Sequence, residues 1–376
     1  PAFRTWVAAE QARDLTALDA AGLIARWREC DHAVMHAFAA QSLLPSVICA
    51  DAMARLRRQL EPWCWDEDPA AVAERLALGG PANSTVRSTA GLRAVARGEL
   101  PLSEWLAAHG HRAPGEFDLA TPRWSERPQD LAAVAAPLRD AADPLLLHRE
   151  RAARAAAEAE RLAAGMDARS AAGFRTTLAV LHRYLRFRED GKDELMRGYA
   201  VLRRIALEAG RRLGIGGDAV LLDEDELISA LGSGFAPIAL IAQRRARRQA
   251  EARLHVPAVV DAAALPDIGR PPEPAGGDRL PAFPIASGGG RGPARIVRSP
   301  DGAGDLGRGY VLVCPSTDPS WTPLFINAAA LILERGGALS HGAVVARELG
   351  IPAVVLAGAT DLLADGEEVA VDGARG

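Results

Sequence analysis

Residues 336–354 read GGALSHGAVVARELGIPAV and gather residue types that can hold and move a phosphoryl group. Ser340 is a good helix N-cap, the run to Leu349 has helical composition, and Gly350 is a stop signal. His341 therefore falls at the first helical position, beside backbone amides that have no carbonyl partner within the helix. Such a helix end attracts an anion and disfavours imidazolium, leaving a ring nitrogen available as a nucleophile. The double glycine at 336 and 337 permits a tight approach, and Gly342 leaves room for an incoming phosphate. A lone histidine at a helix start is more often a satisfied capping residue, so these residues alone leave both readings open.

A second constellation lies upstream. The apolar stripe Phe174, Leu178, Leu181, Leu185 resumes as Leu195, Tyr199 and Leu202, stepping by three and four, and Arg188 and Lys192 occupy the two steps between. In a continuous helix these two cations sit on a face that is otherwise buried. A buried charge needs an anionic partner, and phosphate is one. Two other outcomes are open: Glu189 and Asp193 neutralise the pair locally, or Gly191 breaks the helix and frees both cations to solvent.

Residues 107–124, AAHGHRAPGEFDLATPRW, crowd His109, His111, Arg112, Glu116, Asp118 and Arg123 into a loop broken by glycine and proline. That density of polar groups makes either a hydrogen-bonded structural knot or a lined cleft. In a cleft, His111, Arg112 and Glu116 are the candidates to face a substrate. His32, His36, His148, His182 and His255 have no companions at ligand spacing and read as ordinary residues. The run Asp223, Glu224, Asp225, Glu226 reads as the acidic first turn of a helix rather than a metal site. The four cysteines form no C-x-x-C pair, so neither a disulfide scaffold nor zinc is expected, and no metal ligand set is predicted.

These groups must be positioned by at least two kinds of element. Over most of the first 260 residues, alanine, leucine, arginine and glutamate with three- and four-residue apolar steps predict helix. Within that region, 149–165 reads as a solvated or lightly packed spacer helix. Residues 266–293 are rich in proline and glycine and predict a linker running into a new domain. Beyond it, short β-like runs at 294–297, 310–314, 330–333, 353–356 and 369–371 alternate with helical stretches near 322–330 and 342–349. The expected fold is thus a mainly α-helical region over 1–265 and a small α/β domain over 294–376.

A length of 376 residues suits two or three domains. A net charge of -4 offers no basic excess to hold a polyanion, so nucleic acid is not an expected partner. No leader-like segment opens the chain and no run of about 18 consecutive apolar residues occurs, which predicts a cytoplasmic protein without a membrane span.

The C-terminal hundred residues resemble the phosphohistidine swivel domain of the phosphoenolpyruvate-utilising dikinases. Four stretches in order carry the resemblance: DPSWTPLF at 318–325, GGALSHGA at 336–343, ARELGIPAVV at 346–355 and DGEEVAVDGARG at 365–376. The entry segment at 283–297 is similar to that family's opening strand and turn. Ser-His-Gly together with Trp321 to Phe325 resembles the rifampin-phosphotransferase branch, whereas phosphoenolpyruvate synthases usually carry Thr-Cys-His-Ala. Residues 186–192 resemble an Arg-Glu-x-x-Lys element of the antibiotic phosphotransferases, and 107–124 a Gly-His-Arg and Pro-Arg-Trp pattern of the acceptor-binding region.

The resemblance implies that His341 carries a phosphoryl group, with Ser340 and Gly342 close to it. It implies that Arg188 and Lys192 assist transfer to an acceptor, and that His111, Arg112 and Glu116 contact the acceptor. Family members use ATP and Mg2+ on an ATP-grasp domain of roughly three hundred residues. Nothing in this sequence fits such a domain, so the expectation is a nucleotide-binding domain or subunit as partner, a small organic acceptor with a hydroxyl, and no cofactor bound directly. Two alternatives remain: an ATP-dependent ligase of the prodiginine-condensing type, and a non-catalytic phosphocarrier subunit.

Overall fold

A computed structural model describes residues 2–251, 279–300, 303–304, 306–318, 321–337 and 340–376. Residues 266–278 of the linker region lie outside those described. The helical part begins with α1 (Ala2–Ala12) and α2 (Ala20–Asp31), which runs through a π-helical segment His32–Phe38 into α3 (Ala39–Leu60). There follow α4 (Pro69–Ala77), α5 (Ser84–Ala96), α6 (Leu102–His109), α7 (Leu131–Ala135), α8 (Pro144–Gly165), α9 (Ala168–Arg212), α10 (Glu224–Ser233) and α11 (Ile238–Glu251). The second part is β1 (Phe283–Ala286), β2 (Gly289–Ile296), β3 (Tyr310–Cys314), α12 (Thr322–Phe325), β4 (Ala328–Leu333), α13 (His341–Leu349), β5 (Ala353–Val355), α14 (Ala359–Leu362) and β6 (Glu368–Asp372).

Packing divides the chain into two compact units. One comprises Pro1–Leu43, Gly110–Arg127 and Gly191–Val256; the other comprises Leu44–His109, Pro128–Asp190 and Pro257–Gly376. The first unit is cored by Leu23, Cys30 and Val34 of the α2 run against Met196, Leu202 and Ile205 of α9. In the second unit the helical elements close over Leu56, Leu60, Leu76, Phe174 and Leu181.

Helix α8 departs from the expected spacer. Ala155, Ala159 and Ala163, one turn apart, are buried, and the last two join the core of the second unit. Alanine here is an apolar stripe narrow enough for close helix approach, and the charges lie on the other face. Helix α10 follows its reading: Asp223 and Glu226 form a capping box.

The stretch from Ala20 to Leu60 is one helical run long and apolar enough, by length and composition, to cross a membrane. It was invisible to a count of consecutive apolar residues because His36, Gln41, Ser42 and Pro45 interrupt it. Leu43, Leu44 and Val47 on this run are exposed.

The C-terminal part is the expected α/β layer. Its sheet has the order β1-β5-β4-β3-β2-β6, with β2 to β5 mutually parallel and the two edge strands antiparallel. Strand alternation sorts the core: Leu312 and Cys314 face one side with Phe325, Ala343 and Ala346, while Val311 and Val313 face the other with Ile332, Val354 and Ala359. The helix expected near 322–330 stops at Phe325. Residues 328–330 are alanines with helical propensity, yet parallel pairing of Tyr310 with Ala328 and Val311 with Ala330 makes them strand.

Candidate active site

Helix α13 starts at His341, as its sequence signals require. Ser340 caps it in extended conformation, and its Oγ accepts the Ala343 N–H at 3.3 Å. Helix geometry leaves the amides of residues 341 and 342 without intrahelical acceptors. At the other end Gly350 has φ +64°, and the Ile351 N–H donates to Ala346 O at 2.8 Å. This left-handed stop is the reason for a glycine there.

Gly342 is held by packing. A Cβ at this position would lie 2.5 Å from Thr317 Oγ1 and 2.6 Å from Leu333 Cδ1, distances no real contact reaches. The missing side chain therefore lets the first turn of α13 settle onto the β3 to α12 loop and β4. Ala343 and Ala346 continue that contact into the core.

Within the second unit, α13 also meets the helical elements. The Arg151 guanidinium on α8 donates to Leu349 O. Arg347, 8% exposed, donates from Nε to Ala343 O at 2.9 Å. Glu74 on α4 has its carboxyl pushed upward by burial, against the opposing pull of Arg347 and Arg57.

The cations on α9 fall out differently from either simple alternative. The helix runs unbroken through Gly191. Arg188, in the second unit, pairs with Glu189 at 3.3 Å, and its Nη1 is buried without a hydrogen-bond partner among the described residues. Lys192, in the first unit, pairs with Glu116 rather than Asp193, at 3.0 Å, and lies over the Phe117 ring at 5.3 Å.

His111, Arg112 and Glu116 come together in the first unit, and all three are buried. Arg112 donates to Glu116 Oε2 and Oε1 at 2.5 and 2.8 Å and to Asp193 Oδ1 at 2.9 Å. His111 Nε2 lies 3.1 Å from the same Asp193 oxygen, so the ring donates there. These side chains meet one another, and the exposed members of the cluster are Phe117 and, in part, Lys192.

Asp193 completes the cluster without having been placed in it by the sequence, and Arg123, one of the residues crowded into the 107–124 loop, is buried there too. Asp193 was legible only as a local neighbour of Lys192. Arg123 is 1% exposed and donates to Glu116 O at 2.7 Å, while its Nε and Nη2 have no hydrogen-bond partner among the described residues.

The electrostatics are strongly coupled. Burial works against ionising Glu116, but Arg112 and Lys192 overcome it and hold the carboxyl down at about 2. Asp193 is likewise held below the carboxylate range, against burial, by His111, Arg112 and Arg197. Burial pushes His111 below its ordinary 6.5.

All three shifts act in the same direction on stability. A depressed histidine or carboxylate in the fold means the unfolded chain binds more protons, so stability is lost as pH falls through the unfolded value. We expect thermal stability to fall first below about pH 6.5 through buried histidines such as His111 and again below about 4.5 through Glu116 and Asp193. Glu116→Gln should shrink the lower step in a pH series of melting curves, the remainder belonging to Asp193; an unchanged step takes Glu116 out of it.

Comparison with known proteins agrees with this architecture. Residues 306–376 match the mobile domain of PEP-utilising enzymes. Residues 68–189 match the fourth domain of rifampicin phosphotransferase. The chain is 30% identical over 291 residues to the rifampicin phosphotransferase of Bacillus subtilis, covering 73% of this chain and 33% of that protein. It is 32% identical over 294 residues to that of Streptomyces sviceus, with 73% and 33% covered. An uncharacterised protein of Mycobacterium tuberculosis is 41% identical over 203 residues, 52% of this chain and 23% of the relative. The chain thus spans a quarter to a third of the length of these relatives. It carries a mobile domain of the PEP-utilising enzymes and resembles the corresponding part of a rifampicin phosphotransferase.

Proposed function

We propose that this chain is the phosphoryl-carrying and acceptor-binding part of an ATP-dependent phosphotransferase, with His341 as the carrier. The observation that carries this is the capped start of α13 at residue 341, inside a segment matching a PEP-utilising mobile domain. A nucleotide-binding domain or subunit of the ATP-grasp type supplies the phosphoryl group. A ring nitrogen of His341 attacks it, forming an N–P bond as the P–O bond of the donor breaks. The sheet domain, which already includes β1 and β2, then turns as a body and presents the phosphohistidine to the helical region. Separating the two half-reactions lets each exclude water during its own step.

The acceptor is a hydroxyl of a small organic molecule. Rifampicin phosphotransferase supplies the class by its name, and this chain's own acceptor is set by its own helical region. Arg188 and Lys192 spread the charge of the transferring group. The buried Nη1 of Arg188, without a hydrogen-bond partner among the described residues, supports that role, since a buried donor is costly until an anion reaches it. His111, Arg112 and Glu116 act from beneath, fixing Lys192 and shaping the surface the acceptor meets. ATP as donor places the reaction in the cytoplasm.

The test combines the chain with the nucleotide-binding part of a rifampicin phosphotransferase and ATP. Mass spectrometry under alkaline conditions, which preserve phosphohistidine, should find the phosphoryl group on His341. Label on another residue, or ATP turnover by this chain alone, overturns the assignment. Adding candidate acceptors then separates phosphorylated from condensed products, and a phosphoprotein that yields neither marks a carrier subunit.

A further inference from the structure

His148 on α8 and His182 on α9 have no companions at ligand spacing in the sequence, yet the fold sets both on one cleft of the second unit. The cleft holds about 40 Å3 of free space, and its walls include Gly80, Arg186 and, from α13, Val344 and Arg347. Val344 lies three residues beyond His341, so the cleft opens about one turn of α13, roughly 5 Å of rise, from the carrier position.

The two rings are built in. His182 Nε2 is 2.8 Å from Leu76 O, and His148 Nε2 is 3.1 Å from Gly80 O. A carbonyl only accepts, so Nε2 carries the hydrogen in each ring, and the lone pair of the neutral imidazole is on Nδ1. Neither Nδ1 has a hydrogen-bond partner among the described residues. Gly79 exists to admit His182: a Cβ there would lie 2.9 Å from the His182 Cε1. The charged groups around the pair are Arg186 on α9, Arg347 on α13 and Arg151 on α8, with Glu74 on α4 beside Arg347. Burial pushes both imidazoles below 6.5, and Arg151 adds to this at His148.

We propose that this cleft holds the hydroxyl that attacks the phosphohistidine, and that His182 takes its proton on Nδ1. The inference rests on His341 being the carrier. The acceptor oxygen forms its bond to phosphorus as the N–P bond breaks, and the N–P electron pair returns to the His341 ring. The proton received by His182 equals the one the departing ring needs, so no further reactant enters. The free space exceeds the roughly 10–15 Å3 that one water-sized group needs. It therefore admits an unhindered hydroxyl, such as a hydroxymethyl arm, and leaves the body of the acceptor outside.

Water serves as the probe acceptor. The intact chain is loaded at His341 with phosphoramidate, and loss of the phosphohistidine signal is followed by phosphorus NMR from pH 5.5 to 8. We expect the loss to rise with pH only below 6.5, where the imidazole of His182, held down by burial, becomes neutral, and to level off above it, the reverse of simple acid hydrolysis. His182→Gln should slow it about a hundredfold at pH 7.5 and remove that rise. Val344→Phe, which fills the cleft from α13 and leaves both histidines in place, should slow it equally. If His182→Gln keeps the rate and profile of the unaltered chain, or Val344→Phe keeps its rate, the inference is overturned while the carrier role stands. A chain that takes no phosphoryl group at His341 overturns the parent reading, and this one with it.

Discussion

His341→Ala should reduce phosphoryl uptake to background while leaving the fold unchanged. The substituted residue sits at the first position of α13, where alanine is at least as good a helix former, and the cap from Ser340 to Ala343 does not involve it. The positive end of the helix and its unpaired amides persist, so an anion can still be attracted. What disappears is the atom that forms the bond to phosphorus, and no electrostatic attraction replaces a nucleophile. Gly342→Ala is the informative companion. Its Cβ would fall 2.5 Å from Thr317 Oγ1, so either the start of α13 or the 317 loop must move, at a cost of about 1–3 kcal/mol. The imidazole remains but is displaced, and we expect uptake at least about tenfold slower, because a misplacement on the order of 1 Å can cost a hundredfold. The measurement is the initial rate of labelling with the nucleotide-binding part in excess. Normal uptake by His341→Ala would assign the carrier to another residue.

The two ends of the chain were unequally legible. Around α13 every local signal agreed with the tertiary outcome: Ser340 as cap, a helix through Leu349 and Gly350 as a left-handed stop. The strands at 310–314 and 353–355 were clear because they are short, apolar and bounded by turn residues. The alanines at 328–330 were not, since their state is decided by pairing with β3 and not by their own preference. In the helical region the apolar stripe correctly announced a long helix with cations at 188 and 192. It could not say which carboxylates would answer them. Glu189 answers Arg188 from the next residue, whereas Glu116 reaches Lys192 across 76 positions of chain. His148 and His182 were illegible for the same reason: a cleft assembled from four separate segments leaves no spacing to read.

Lys192→Ala should slow transfer to acceptor about a hundredfold and leave loading of His341 nearly unchanged. The Lys192 side chain is 24% exposed beside Phe117, while the residues that hold it are closed off from solvent. Removing one such contact to a transferring phosphoryl group typically costs about a hundredfold or more. The competing account is that Lys192 only neutralises Glu116. In that case its loss is tolerable, because Arg112 still holds Glu116 through two hydrogen bonds. Arg112→Ala separates the accounts from the other side. It leaves buried Glu116 to Lys192 alone and Asp193 to His111 and Arg197, and breaking such a pair costs about 3–5 kcal/mol of stability. A single-turnover assay on preloaded chain gives the decision. Slow transfer by Lys192→Ala with an unchanged melting temperature makes the lysine part of the transfer chemistry. Normal transfer with a lowered melting temperature makes it a structural counter-ion, and the charge on the transferring group must then be met by Arg188 without it.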